Sequence, residues 1–316
     1  MKARPGIVGK AIRYASSLPC RLAVRLAPRN RAGDYWFSLG NFVQAHNRLP
    51  RRRNALFNDV LFYLKTSDEI LDPLRVFVTD KEFVKLYVKA VVGDDHVVPT
   101  LAVLRSPTEA SNYVYPPDCV IKPTHLCSEI ILREGATPID YAKIRRWFAA
   151  NHYDFGREAN YHFLQPKVIV EPRVFGSSRV DDYKVFCFNG VPKAIQVDVD
   201  RWTHHTRTLY TTDWQLLPFG LEESLGTELA RPRRLHELLE VAAQIAKGFG
   251  LIRVDLYVSD ERVLVGEITN CHGNAGQRFI PTSGEVAFSR LLFAGADVSR
   301  GRREAQGVAG DMRRSG

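Results

Sequence analysis

Asn189-Gly190 constrains this chain more than any other pair of residues. The dipeptide sits between "DYKVFCF" and "VPKAIQVDVD", which both alternate apolar and polar side chains. Asn and Gly tolerate positive φ, so together they close a two-residue turn whose twist suits two antiparallel strands. A parallel pair would need a long crossover at that point. A second pair of strands follows in "RVDLYVSDERVLVGEITN", Arg253 to Asn270, with a polar turn in its middle. Between the two pairs, "RPRRLHELLEVAAQIAKGFG" has helical spacing, with Leu235, Leu238, Leu239, Ala242, Ile245, Ala246 and Phe249 on one face. Gly250 is its expected stop.

The earlier chain reads in the same mixed way. "FNDVLFYLK" (Phe57–Lys65) and "DKEFVKLYVKAVVG" (Asp80–Gly93) carry helical stripes, the second with Asp80 as expected N-cap and Gly93 as stop. "VVPTLAVL" turns to a strand pattern. "DCVIKPTHLCSEI" is a short strand that ends at Lys122-Pro123 and a loop. "DYAKIRRWFAANHY" is an amphipathic helix, and "KVIVEPRV" (Lys167–Val174) a buried strand closed by an acid and a proline. Strands, helix, antiparallel strands, helix, strands is the order of an α+β protein, not of a regularly alternating parallel sheet. No GxGxxG, Walker A or GxSxG motif and no internal repeat is present.

Charge divides the chain. Residues 1–53 hold twelve Lys and Arg against Asp34 alone, while the whole chain is +9, so the remainder is slightly acidic. A solvated, partly disordered arm is the plain reading of such a run. The functional reading is an arm on an anionic surface such as phospholipid. Nucleic acid is not expected, because the body offers no matching basic motif. The run from Gly301 is small and polar, which predicts disorder. No stretch of eighteen apolar residues occurs. The five cysteines show no CxxC spacing, which speaks against a disulfide framework or a zinc site and fits a reducing cytoplasm. A place at the membrane periphery goes with the anionic-surface reading.

Three charged residues interrupt apolar strands. Asp255 and Glu267 sit on the two strands of the second hairpin. They either face solvent and pair with arginines, or hold a divalent cation; Mg²⁺ takes one or two carboxylates plus substrate phosphates. Asn270 is placed to add an amide oxygen. Lys184, in the middle of "YKVFCF", needs a counter-charge if it points inward, and nucleotide phosphates would supply one. Lys122, at a strand end before a loop, is placed for a phosphate. His272 reads as a loop histidine.

Taken in order, "DKEFVKLYVKAVVG", "CVIKPTH", "KVIVEPRV", "DYKVFCFNGVPKAIQVDVDR", "DWQLLPF" and "IRVDLYVSDERVLVGEIT" resemble the TupA-like branch of the ATP-grasp superfamily, from about Phe57 to Phe293. The resemblance implies two α+β subdomains that enclose a nucleotide, preceded by a small N-terminal region. The expected division is a basic leader over 1–53, a helical region over 54–105, an ATP-grasp core over 106–296 and a disordered tail over 297–316. Within the core, 106–170 is the lid and 171–296 the metal-binding part.

ATP and Mg²⁺ are the implied cofactors. Lys122 would take the α/β-phosphates, with Lys85 or Lys89 as the earlier nucleotide lysine and His125 and Ser128 in the lid loop. Glu171, Arg173 and Val174 would form the adenine hinge, Asp182 would meet the ribose, and Lys184 would reach the γ-phosphate. Asp255, Glu267 and Asn270 would be the metal ligands, and Arg253 would face the acyl-phosphate region. Two departures from the family pattern stand out. The lid loop "THLCSEI" has no glycine, and Thr269 stands where the family's last ligand is usually asparagine.

The implied activity is an ATP-dependent carboxylate–amine ligase in cell-surface polysaccharide or glycopeptide synthesis, with an acid and an amine, small molecules or glycans, as partners. The alternatives are a degenerate nucleotide- or polymer-binding scaffold and a phosphoryl transferase to a sugar.

Overall fold

The computed structural model describes residues 27–176, 181–199, 205–222 and 224–294. The expectations for the first part of the leader and for the tail lie outside these residues. The described part is α+β with two main sheets, antiparallel except for one short parallel pair at an edge of the larger. The smaller sheet has the strand order β1 (Ala102–Leu104), β4 (Val168–Pro172), β2 (Cys119–Pro123), β3 (Ile131–Arg133). The larger sheet runs β11 (Val263–Thr269), β10 (Leu251–Val258), β5 (Asp182–Phe188), β6 (Val191–Val199), β7 (Thr206–Thr211), β9 (Ser224–Leu225). A short pair, β8 (Gly220–Leu221) with β12 (Phe279–Ile280), completes the strands.

The turn at Asn189-Gly190 forms as its chemistry demands, with φ of 49° and 76°. On one face of the larger sheet, Val185, Ile195, Val197, Ile252 and Val254 bury against helices α4 (Phe83–Val92) and α8 (Leu235–Ala246). Part of the opposite face is also apolar. There Phe186, Ala194 and Leu209 meet α2 (Phe57–Thr66) and α9 (Gly284–Phe293). The smaller sheet has its own core, in which Ile121, Val168 and Val170 pack on Ile144 and Trp147 of α6 (Tyr141–Ala149).

Three expectations shift. α8 ends at Ala246, before the expected stop at Gly250; Gly248 takes a φ of +91° in the turn that follows. β1 lies in the stretch assigned to the N-terminal helical region, yet it is the edge strand of the smaller sheet and pairs with β4 from Ala102 to Leu104. The last part of the basic leader is also folded. Helix α1 (Arg31–His46) starts at Asn30, whose side chain accepts from the Gly33 amide, and buries Phe37, Phe42 and Val43. Asp34 accepts from the Tyr153 hydroxyl at 2.7 Å and from Arg157 at 3.2 Å. The leader was read from its charge, whereas the apolar spacing in "YWFSLGNFV" governs this part of it.

Candidate active site

Side chains alternate across a strand, so cross-strand register decides which residues share a face. In the larger sheet Asp255 pairs with Glu267 on one side and Lys184 on the other, and Lys184 pairs with Gln196. The adjacent row runs Tyr257, Asp182, Asp198, Arg207. Two rows of polar side chains therefore cross one face of an otherwise apolar sheet. They form one wall of a cavity of about 680 Å³, and the smaller sheet supplies the other.

The larger-sheet wall is a chain of alternating charges. Lys184 Nζ lies 2.6 Å from Asp182, 3.1 Å from Asp198 and 3.9 Å from Asp255. Arg207 Nε donates to Asp198 at 2.8 Å. Arg253 grips Asp255 with two donors, both at 2.6 Å, and lies 3.7 Å from Glu267. Its remaining donors reach Thr269 at 2.9 Å and His272 Nδ1. Lys184 was expected to find its counter-charge in nucleotide phosphates, and carboxylates of the protein itself already supply it.

Burial and charge pull the acids in different directions. Burial pushes the Asp198 carboxyl up, but Lys184 and Arg207 outweigh it and hold it far below the usual range. Burial wins at Asp255, which stands at about 6 despite Arg253 and Lys184, with Glu267 adding to the rise. Burial, with Arg253 and Arg207 nearby, keeps His272 well below the ordinary histidine value, so its ring is neutral.

The other wall is simpler. Glu171 on β4 is shared by two lysines, Lys85 at 2.6 Å and Lys122 at 2.7 Å. Lys85 also donates to the Val98 carbonyl at 2.8 Å and to Thr100 at 2.7 Å. Burial raises the Glu171 carboxyl, but Lys122 and Lys85 bring it below its ordinary value. Lys122, Glu171, Arg173 and Val174 line the cavity; Arg173 also reaches Glu134 at 3.1 Å. Lys89 points elsewhere, to Asp94 at 2.7 Å.

The lid loop divides after Leu126. Thr124 donates to Asp80 at 3.2 Å, and Leu126 belongs to the core of the smaller sheet. His125, expected among the nucleotide residues, bonds the Trp147 carbonyl at 2.9 Å and is absorbed in that fold. Cys127 and Ser128 do line the cavity, and Ser128 takes the left-handed φ of +59° that glycine would adopt freely. Lys81 bridges the walls, donating to the Leu126 carbonyl at 2.7 Å and lying 3.8 Å from Glu267.

Asn270 does not join the acids. Its side chain accepts from Arg75 at 3.0 Å and donates to the Arg75 carbonyl and Thr79, both at 3.1 Å. Strand alternation turns it from the face that carries Glu267. Among the described residues no group of three or more His, Cys, Asp or Glu side chains could hold a metal ion. Asp255 and Glu267 make a two-carboxylate oxygen set, which is what Mg²⁺ takes from a protein when phosphates complete its shell. Asp198, Arg207 and Lys81 were missed in the sequence. "QVDVD" carried a signal for Asp198, since an acid in an alternating strand needs a partner as much as Lys184 does.

The TupA-like ATPgrasp family model matches residues 61–288. Among solved structures, the chain is similar to an L-amino acid ligase from Bacillus licheniformis, at 14% identity and TM-score 0.42, over 70% of this chain and 51% of that one. A D-alanine–D-alanine ligase from Helicobacter pylori matches at 15% identity and TM-score 0.36, over 64% and 53%. D-cycloserine synthetase DcsG matches at 17% identity and TM-score 0.38, over 74% and 77%. The chain spans 53–65% of the length of the D-alanine–D-alanine ligases it matches. A comparison with curated proteins finds no match. The family model covers well over half of the sequence, and the chain belongs to the TupA-like ATP-grasp family.

Proposed function

We propose that this protein is an ATP- and Mg²⁺-dependent carboxylate–amine ligase that forms an amide bond through an acylphosphate, in cell-surface polysaccharide or glycopeptide synthesis. The observation that carries the reading is the cross-strand pair Asp255 and Glu267, facing a wall on which Lys85 and Lys122 share one carboxylate. The first wall has the oxygen ligands a hard divalent cation needs, and the second has the cations a polyphosphate needs. Bound Mg·ATP would supply the phosphoryl group that makes a carboxylate an electrophile.

The protein's own task is to hold like charges together. A carboxylate and a triphosphate repel, so catalysis rests on positioning and on fixed counter-charges. Lys122 and Lys85 are assigned to the phosphates, Asp255 and Glu267 to the cation. Arg253, already fixed by Asp255, Thr269 and His272, presents a rigid guanidinium beside them. Lys184 holds Asp182, Asp198 and Asp255 in place from beneath. The anionic surface is assigned to the basic residues of the leader. Among the described ones, Arg29, Arg31 and Arg48 already have carboxylate partners, which leaves exposed Arg51, Arg52 and Arg53 as the remaining candidates.

The test is conversion of ATP to ADP over a panel of acids and amines. Turnover that requires one of each supports the ligase. A phosphorylated sugar without an amide would assign the site to phosphoryl transfer, and absence of Mg·ATP binding would leave a scaffold.

A further inference from the structure

Two strong donors in the cavity have no acceptor among the described residues. Arg207 is 8% exposed and spends its Nε on Asp198, yet its Nη1 is buried without a partner. His272 is 4% exposed, and its Nε2 is likewise buried and unpartnered. The tautomer follows from geometry. His272 Nδ1 faces an Arg253 guanidinium nitrogen, which can only donate, so Nδ1 accepts and Nε2 carries the hydrogen. Both residues line the same cavity.

An unsatisfied buried donor costs about 1–3 kcal/mol, and more when it is charged. Two such donors at one cavity wall mark a place where a ligand supplies the acceptors. A guanidinium N–H and an imidazole N–H both seek an oxygen, and the guanidinium favours an anionic one. Of the lysines assigned to the phosphates, Lys122 stands on β2 of the other sheet and Lys85 on α4, with its ammonium on Glu171 of that sheet. Arg207 stands on β7, three strands from β10 and on the far side of Lys184 from the metal acids.

We infer that Arg207 Nη1 and His272 Nε2 form the subsite for a carboxylate of the acid substrate, separate from the nucleotide phosphates. The inference rests on the ligase reading above and names the residues that would recognise its acid. It also assigns His272 a role beyond that of a loop histidine.

Acetate is the probe, followed by saturation-transfer NMR on the full chain at constant ionic strength. Wild type is expected to bind acetate saturably, with and without a non-hydrolysable Mg·ATP analogue. Arg207→Gln should weaken acetate by about tenfold or more, as loss of a charge-assisted hydrogen bond implies. His272→Phe keeps a flat ring among its neighbours Phe57 and Phe186 and removes the Nε2 donor together with the Nδ1 acceptor of Arg253, a guanidinium that Asp255 and Thr269 still hold, so it carries the test if Arg207→Gln fails to fold. Both variants should bind the Mg·ATP analogue as wild type does. Acetate binding unchanged in the folded variants, or absent from wild type, overturns the inference. So does displacement of acetate by the analogue, which would give the two donors to the phosphates. Failure of the analogue to bind wild type is a different result, because it removes the ligase reading and leaves the acetate titration to be judged by itself.

Discussion

The two walls of the cavity solve the problem of buried charge in opposite ways. At the smaller sheet two ammonium groups, Lys85 from α4 and Lys122 from β2, face one carboxylate, Glu171. On the larger sheet Lys184, Arg207 and Arg253 face Asp182, Asp198, Asp255 and Glu267. One wall carries surplus positive charge and the other surplus negative charge. A polyanion is therefore favoured at the first and a cation at the second, and the two can be brought together only between them. The walls also differ in redundancy. Glu171 keeps a lysine if either one is lost, whereas Lys184 serves three carboxylates at once, Asp182, Asp198 and Asp255.

That difference gives the largest expected effect. Lys184→Met should cost about 3–5 kcal/mol in urea unfolding, the loss seen when one partner of a buried ion pair is removed. Lys85→Met should cost only about 1–2 kcal/mol, since Lys122 still holds Glu171. Equal losses would mean that the walls do not differ in redundancy.

Leu126→Gly sharpens the comparison within the lid loop. Adding the missing glycine removes a side chain that is 5% exposed in the smaller sheet's core. The expected loss is about 2–4 kcal/mol of stability with no tighter Mg·ATP binding. Tighter binding would show that Leu126 obstructs the phosphates.

The last comparison is in pH dependence. Burial lowers His152, but neighbouring Cys127 and Glu158 outweigh it and hold the imidazole at about 10, above the ordinary 6.5. Its contribution is therefore complete below pH 6.5 and is lost as pH rises through about 10. Asp198 has the opposite sign. Its folded value is depressed below the ordinary 3.8, so its contribution is complete above that pH and disappears as pH falls through the folded value. Urea midpoints of wild type and His152→Phe should converge as pH rises from 6.5 to 10. A constant gap would show that His152 stabilises by packing alone.

Much of this was legible because strands encode a face directly. Asn189-Gly190 fixes an antiparallel pair, and period two then sets Lys184 on one of its faces, as it sets Asp255 and Glu267 together on one face of the second hairpin. What stayed hidden depends on register that no two-residue turn announces, between β5 and β10 and between β6 and β7. Asp198 and Arg207 meet only because β6 pairs with β7 at that position. His125 and Asn270 have the right chemistry for a site, but each is turned into the fold by a local bond that spacing does not reveal. The charge of residues 1–53 predicts an arm, and the apolar stripe of α1, with Phe37, Phe42 and Val43 buried, overrides it there.

The most direct test of the central claim is a calorimetric titration of Mg·ATP into wild type and Glu267→Gln. Glu267 is 38% exposed at its side chain, so the variant should fold. The account predicts saturable binding to wild type and its loss or severe weakening in the variant. Equal binding by the two proteins would contradict a metal site at Asp255 and Glu267, and with it the division of labour between the two walls.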